Sequence, residues 1–309
     1  MRIVIALGGN ALLKRGEPLN IKVQRENART ACQAIIPLLE EHSIVLTHGN
    51  GPQVGLLALQ GGALSDIEPY PLDVLGAQSE GMIGYLLEQE LINAMPSCKV
   101  ANLMTETIVD GNDPAFSNPT KFIGPVYDEE TANKLARKHG WTVKPDGAYF
   151  RRVVPSPLPE EILAAPAIKT LSDAGYVVVC TGGGGVPVIR HEMGMLEGTE
   201  AVIDKDLASS LLAIWLNADA LLMLTDVDAV YENWGTKDQK AIRHATAHDM
   251  QDREFAAGSM GPKVTAACEF VQRTGNFAGI GSLEEAVEIL AGKAGTMVQP
   301  DGVRKTASA

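Results

Sequence analysis

The sequence predicts an α/β fold: a three-layer αβα sandwich with a mainly parallel central sheet, and a small subdomain inserted mid-chain. Two observations predict the sandwich. Four short apolar runs each drive into a Gly-rich or Asp-rich turn, VIALGGN at 4–10, SIVLTHGNGP at 43–52, YVVVCTGGGGVP at 176–187 and ALLMLTDVDAV at 220–230. None alternates apolar with polar residues, which is the pattern of strands buried on both faces. Helical patterns fill the gaps, and strands alternating with helices build a layered α/β domain. A third observation predicts the insertion: the stretch 110–159 breaks this grammar with prolines and polar residues.

In chain order, the first run ends in Gly8, Gly9 and Asn10. A glycine pair at a strand end implies tight curvature or a close approach to the main chain. Ala28, Ala31, Cys32, Ile35, Ile36 and Leu39 then form the stripe of a core-facing helix, which Pro37 should kink. The second run leads into a helix opened by Pro52. Inside the insertion, Asp128 caps a short helix that stops at Gly140, and PDG at 145–147 reads as the turn of a hairpin from Trp141 to Val154. Inserted segments with their own structure are often lids. Later helices start near Lys205, at Pro262 and at Ser282, where SLEE spells a capping box with Glu285 reaching back. The polar tail from Gln299 to Ala309, with 301–309 beyond the domain, reads as disordered.

With 309 residues and 45% hydrophobic content, the chain can bury a sizeable core. Its net charge of −12 disfavours nucleic acid or an anionic membrane surface as partner. The longest apolar stretch, 207–224, is broken by Ser209, Ser210, Asn217 and Asp219, so it predicts no membrane span. The apolar run after Arg2 ends too soon for a signal peptide. Cys32, Cys98, Cys180 and Cys268 show no CxxC spacing, against a zinc site or disulfide framework. Together these features predict a soluble cytoplasmic protein whose anionic ligands are met by a few local lysines.

Neither the GxxxxGK[ST] nor the GxGxxG fingerprint is present, yet Gly turns beside helix N-termini offer the same backbone N–H groups. Lys205 and Lys263 each fall in a first helical turn, where a cation is disfavoured by ~0.3–1 kcal/mol. Two such lysines point to an anion that reverses the sign. The alternative is that Asp204 and Asp206 neutralise Lys205 while Lys263 extends into water. Lys121, in NPTKFIG, is a third candidate. His244 and His248 have i, i+4 spacing without the Glu of HExxH and read as a solvated helix face. His48 reads as a hydrogen-bonded strand-end histidine, with catalysis as the alternative. Asp226 and Asp228 either cap their turn or meet a ligand. Arg151 and Arg152 read as an exposed hairpin end that could instead reach a phosphate.

Taken together, ALGGNAL, THGNGPQVG, GAQSEGMIGY, DPAFSNPTK, RRVVPSP, GGGGVPVI, AVIDKDLAS, LTDVDAVY and GSMGPKV, in that order, resemble the carbamate kinase family of the amino-acid-kinase fold. The resemblance runs from Arg2 to about Val298. It implies one domain over 1–300, with an acid-substrate lobe at about 1–165, a nucleotide lobe at about 166–300 and a protruding lid at about 118–156. Gly8, Gly9, Asn10, Gly49 and Asn50 would cradle carbamate and the transferring phosphoryl group, with backbone N–H groups on anionic oxygens. Lys121, Lys205 and Lys263 would surround that phosphoryl, with Asp204 orienting the lysines. Gly183, Gly184, Asp226, Tyr231 and Met260 would line the nucleotide site. No protein metal site is implied; Mg²⁺ would ride on the phosphates of ATP or ADP. The resemblance further implies a homodimer that makes ATP during arginine catabolism.

The residue inventory suits this chemistry. Phosphoryl transfer needs positioning and positive charge, and carbamate, already an anion, needs no general base. Two positions depart from the family pattern: Phe122 stands where proline is expected and Glu106 where glutamine is expected. They motivate a second reading, a kinase of another small carboxylate or carbamate-like acid. A third reading is a non-catalytic nucleotide-binding module, against which the three lysines and both Gly turns count.

Overall fold

The computed structural model describes residues 1–13, 16–18, 20–63, 69–256 and 260–301. From the N-terminus, β1 (Arg2–Leu7) runs into a four-residue α1 (Gly9–Leu12), followed by α2 (Ile21–Leu39), β2 (Ser43–His48), α3 (Gly51–Gly61) and α4 (Leu72–Ala94). Next come β3 (Val100–Asn102), β4 (Glu106–Val109), β5 (Lys121–Tyr127), α5 (Glu129–His139), β6 (Thr142–Asp146), β7 (Tyr149–Val154) and β8 (Pro159–Ile162). The second half holds α6 (Ala165–Asp173), β9 (Val177–Val179), β10 (Val186–Arg190), β11 (Leu196–Gly198), α7 (Lys205–Trp215) and β12 (Ala220–Thr225). It closes with β13 (Val230–Glu232), β14 (Lys240–Ile242), β15 (His244–Thr246), α8 (Ala247–Gln251), α9 (Met260–Thr274), β16 (Phe277–Ser282), α10 (Ala286–Leu290) and β17 (Thr296–Gln299).

The four apolar runs become β1, β2, β9 and β12, adjacent strands of an eight-stranded sheet ordered β15-β17-β16-β12-β1-β2-β9-β3. Among its described pairings, only β16 with β17 is antiparallel. Successive side chains of β1 serve opposite faces. Val4 and Ala6 join a core cluster with Leu212, Phe270 and Ile168, under α7, α9 and α6. Ile3, Ile5 and Leu7 join a second cluster with Ile35 and Leu87, under α2 and α4. Two cores back to back on one sheet make the three layers. Because β12, β1, β2 and β9 run parallel, their carboxyl ends lie along one edge, where ligands of such sheets bind.

Two smaller sheets flank this edge. One, ordered β11-β10-β4-β8, draws two strands from before β9 in the chain and two from after it; the other, β5-β7-β6, carries α5 and belongs to the mid-chain stretch. Asp128 caps α5 through the Thr131 N–H at 2.8 Å, and Gly140 ends it at φ 68°. The hairpin turn is Gly147–Ala148, so Pro145 and Asp146 sit inside β6. Proline is tolerated there because β6 is the outer strand. The β5 strand lies on α3 at a Gly–Gly contact: a Cβ on Gly55 would fall 1.9 Å from Gly124 Cα.

Several local expectations are corrected. SLEE forms no capping box: Leu283–Glu285 is a 3₁₀ turn, and Ser282 meets Glu284 rather than the Leu283–Glu285 backbone. The Glu285 Oε2 atom is buried without a partner among the described residues. A capping box does form at Thr246 and Asp249, opening α8. His244 lies in β15 and His248 in α8, so no helix face joins them. Arg151 and Arg152 lie within β7 and are half-buried. Arg151 donates to the Gly124 carbonyl at 2.7 Å, and the Arg152 guanidinium stacks 4.5 Å over Trp141. The α9 helix begins at Met260, two residues before Pro262, and α2 continues through Pro37 to Leu39. Gln299, expected in the disordered tail, instead ends β17, and the rest of the tail from 302 to 309 lies outside the described residues.

Candidate active site

The turns after β1 and β2 nest against each other. Gly8 donates its N–H to the Leu224 carbonyl at 2.8 Å, and Gly49 donates to that of Leu7 at 3.1 Å. Both N–H groups are thus spent on the sheet rather than offered to a ligand, which corrects the simplest account of these glycines. Space explains them instead: a Cβ on Gly49 would lie 3.0 Å from Gly9 N, and one on Gly8 would lie 3.0 Å from the Leu224 carbonyl oxygen. Gly9 differs, because a Cβ there would meet nothing within 4 Å. It sits at the start of α1 with open room above it. Asn10 belongs to α1, but its side chain lies outside what is described. Asn50 is buried and donates from Nδ2 to the Ser79 hydroxyl at 2.9 Å.

The turn after β9 joins the two halves of the site. Thr181, Gly183, Gly184 and Gly185 all have positive φ, at 53°, 65°, 93° and 87°. A Cβ on Gly183 would fall 2.1 Å from Asn50 Nδ2, and one on Gly184 would fall 2.8 Å from Ile203 Cβ. The structure therefore places Gly183 against the Asn50 turn on one side and Gly184 against the approach to α7 on the other. His48 is enclosed at the same place, its Nδ1 3.3 Å from the Gly49 carbonyl oxygen and its Nε2 without a partner among the described residues. Burial pulls its pKa down to about 4. Glu80, from α4, accepts from Gly182 N–H at 2.8 Å and Thr105 N–H at 3.3 Å, and burial raises its pKa to about 7.

The three lysines converge on the N-terminus of α7. Asp204 caps that helix with Oδ1, accepting from Asp206 N–H at 2.9 Å and Leu207 N–H at 3.3 Å. Its Oδ2 holds Lys121 Nζ at 2.5 Å, reaching from β5. Asp206, buried, takes Lys205 Nζ at 2.6 Å on one oxygen and Lys263 Nζ at 2.9 Å on the other. Lys263 is half-buried and held by Asp206 rather than extended into water. The orienting role expected of Asp204 alone is divided: Asp204 takes one lysine and Asp206 takes two. Burial opposes the charge of Asp206, yet the two ammoniums keep its carboxyl well below the usual range. Burial draws the Lys205 pKa down, with Asp206 pulling the other way. For Lys263 burial is outweighed by Asp206, aided by Asp204 and Asp226, and the pKa is raised.

The remaining expected residues lie at the next turn along the sheet. Asp226 follows β12 and accepts from the Thr225 hydroxyl at 3.1 Å. Tyr231 donates to Asp228 at 2.6 Å, and Asp228 also accepts from Arg243 at 2.9 Å. Met260 opens α9 and packs against the core cluster beneath α7. Glu106 is exposed; its neighbour Thr107, on the opposite face of β4, bonds the Gly184 carbonyl at 2.9 Å. Sequence reasoning missed Glu80 and gave Asp206 only a neutralising part. The same helix also carries Asp73, Glu88 and Glu90, so no local signal in the sequence set Glu80 apart.

A Gly-lined edge thus stands beside three lysines clustered on two aspartates, an arrangement chemically suited to an anionic group. The amino acid kinase family model matches residues 1–278, and the chain belongs to that family. Within it, the chain is 54% identical over 301 residues to the carbamate kinase of Rhizobium meliloti, covering 96% of this chain and 93% of that protein. It is 53% identical over 299 residues to the carbamate kinase of Haemophilus influenzae, covering 96% of each. Among solved structures, carbamate kinase from Giardia lamblia bound to citric acid superposes with a TM-score of 0.92 at 42% identity, covering 97% of this chain and 98% of that one.

Proposed function

We propose that this protein is a carbamate kinase, an ATP-dependent phosphotransferase that moves a phosphoryl group reversibly between ATP and carbamate, giving ADP and carbamoyl phosphate. The observation that carries the reading is the paired lysine network at the start of α7, beside the Gly9 and Asn50 turns. Lys121, Lys205 and Lys263 supply positive charge to the phosphoryl in flight, and Asp204 and Asp206 hold them in place beforehand, which is where electrostatic catalysis gains most. Carbamate attacks as an anion, so no side chain accepts a proton. Gly9, Asn10 and Asn50 hold the acid substrate; Gly8 and Gly49 shape that cradle. Gly183, Gly184, Asp226, Tyr231 and Met260 border the nucleotide.

Both carboxylates of the network are occupied by ammoniums, so Mg²⁺ enters on the nucleotide phosphates, where it offsets part of their charge. We assign 1–165 to the acid-substrate lobe, 166–300 to the nucleotide lobe and 118–156 to a lid that closes over the phosphates through Lys121. We further expect a cytoplasmic homodimer that makes ATP in arginine breakdown. Light scattering behind a sizing column checks the dimer. The reaction itself is tested by supplying ADP, Mg²⁺ and carbamoyl phosphate and following ATP with hexokinase and glucose-6-phosphate dehydrogenase. Turnover of acetyl phosphate in preference to carbamoyl phosphate would transfer the protein to another acid, and binding of nucleotide without turnover of either would make it a regulatory module.

A further inference from the structure

Thr181 is a β-branched residue held at φ 53°, separated by Gly182 alone from a run of three glycines that also have positive φ, Gly183, Gly184 and Gly185. Such a residue is strained and persists only where its surroundings over-determine it, a condition that clusters at functional sites. Here the surroundings are identifiable. The Thr181 N–H donates to the Thr105 hydroxyl at 2.9 Å, and the Thr107 hydroxyl donates to the Gly184 carbonyl at 2.9 Å. Between them, one Glu80 carboxylate accepts from Gly182 N–H at 2.8 Å and from Thr105 N–H at 3.3 Å, tying the turn to the strand segment that holds Thr181.

Glu80 comes from the buried face of α4, where Leu75, Ser79, Ile83, Gly84 and Leu87 flank it. A carboxyl in that setting is unfavourable unless backbone donors satisfy it. His48 reaches the same spot without bonding the turn: a Cβ on Gly182 would lie 2.4 Å from His48 Cε1 and 2.8 Å from Glu80 Cγ. The carboxylate is thus the group from α4 that grips the turn. What the turn touches gives the grip its consequence. Gly183 is packed on the Asn50 amide and Gly184 on Ile203, two residues before Lys205. Any shift of the turn displaces both.

We propose that Glu80 is a positioning residue for phosphoryl transfer: it fixes the glycine turn that sets Asn50 on one side and the lysine-bearing start of α7 on the other. This rests on the phosphotransfer reading above. Glu80→Ala removes both acceptors, whereas Glu80→Gln keeps one carbonyl oxygen for Gly182 and removes the buried charge. At pH 8 and 25 °C, with the folded fraction checked by circular dichroism, Glu80→Ala should lower kcat about 100-fold, as for a misplacement near 1 Å, with KM rising less than kcat falls. Glu80→Gln should stay within a few-fold of wild type in kcat and melt at the same temperature or higher. The Gly182 amide should exchange its hydrogen faster in Glu80→Ala and near the wild-type rate in Glu80→Gln. Wild-type kcat per folded molecule in Glu80→Ala, or unchanged exchange at Gly182, overturns the proposal. If wild type itself fails to turn over carbamoyl phosphate, the enzymatic reading falls, and amide exchange still decides whether Glu80 holds the turn.

Discussion

Substituting Gly55 by alanine tests whether the β5-β7-β6 subdomain must sit where it does for Lys121 to act. The added Cβ would lie 1.9 Å from Gly124 Cα and 2.1 Å from Gly124 N, and both are backbone atoms that no rotamer can move aside. Carbon atoms rest at about 3.5 Å or more, so β5 has to retreat by roughly 1.6 Å. Lys121 begins that strand, three residues before Gly124, and its Nζ lies 2.5 Å from Asp204. A retreat of that size opens the contact to about 4 Å, beyond hydrogen-bond reach. Alanine gains up to ~1 kcal/mol in helix propensity, against about 1–3 kcal/mol for overpacking, so the melting temperature should fall modestly. A charge misplaced by more than 1 Å costs on the order of 10² in rate. The expected outcome is therefore a kcat for ATP synthesis about 100-fold lower in a protein that remains folded at 25 °C. Coupled ATP synthesis and thermal unfolding of one preparation measure both. Wild-type kcat would show that Lys121 does not depend on the seating of β5 on α3, and unchanged melting as well would refute the Gly–Gly contact.

Lys205→Ala strips one ammonium from buried Asp206 and should cost both ways: about 2–4 kcal/mol in denaturant unfolding, as for one member of a buried pair with Lys263 remaining, and roughly 10² to 10⁴ in kcat. Retained activity in a destabilised protein would reduce Lys205 to a structural ion pair. The pH dependence of stability should expose a compensation. Glu80, about 7 in the fold against 4.5, contributes stability present below pH 4.5 and lost as pH rises through 7, while His48, about 4 against 6.5, contributes stability present above pH 6.5 and lost as pH falls through 4. Each term is about 3 kcal/mol (2.5 units × 1.36) and the signs oppose, so wild-type stability should vary little from these groups between pH 4.5 and 6.5. Glu80→Gln should climb with pH across that window and His48→Gln should fall, and parallel curves would sink the assignment. Residues 118–156 should gain hydrogen-exchange protection when a non-hydrolysable ATP analogue and Mg²⁺ are added; equal exchange in both states would remove the lid.

The sheet was legible because its signals are local. An apolar run ending in glycines needs no partner to be recognised, and all four runs became neighbouring strands. Lys205 and Lys263 stood out because a lysine in a first helical turn is locally wrong. What stayed hidden depends on distance along the chain. Asp206 bridges Lys205 and Lys263, the latter 57 residues away, and Glu80 grips Gly182 across 102 residues. Arg152 looked exposed because its burial follows from hairpin register, which sets it over Trp141. SLEE failed for the opposite reason: the local motif was present, but the chain took a 3₁₀ turn there. The dipole argument for Lys205 leaves its pairing with Asp206 out. Alone, it predicts level or rising stability when the lysine is removed, whereas a buried ammonium 2.6 Å from a buried carboxylate predicts a loss.

The pairing also bears on how the site stays ready without substrate. Two ammoniums buried together repel, and each raises the tendency of the other to shed its proton. Asp206, with one oxygen on each, removes that tendency for Lys263, whose pKa ends above the ordinary lysine value although burial opposes it. Asp204 performs a different task with the same chemistry, because its two oxygens belong to different elements: one caps α7 and the other holds Lys121 on β5. Asp226 adds to the field of Asp204 and Asp206 at Lys263, so the three lysines are held charged by carboxylates on every side. In the reaction proposed above, the ammoniums would follow the phosphoryl by lengthening bonds they already make to the aspartates, and because these charges are fixed in the folded chain before the substrate arrives, the aspartates would lower the reorganisation needed during transfer.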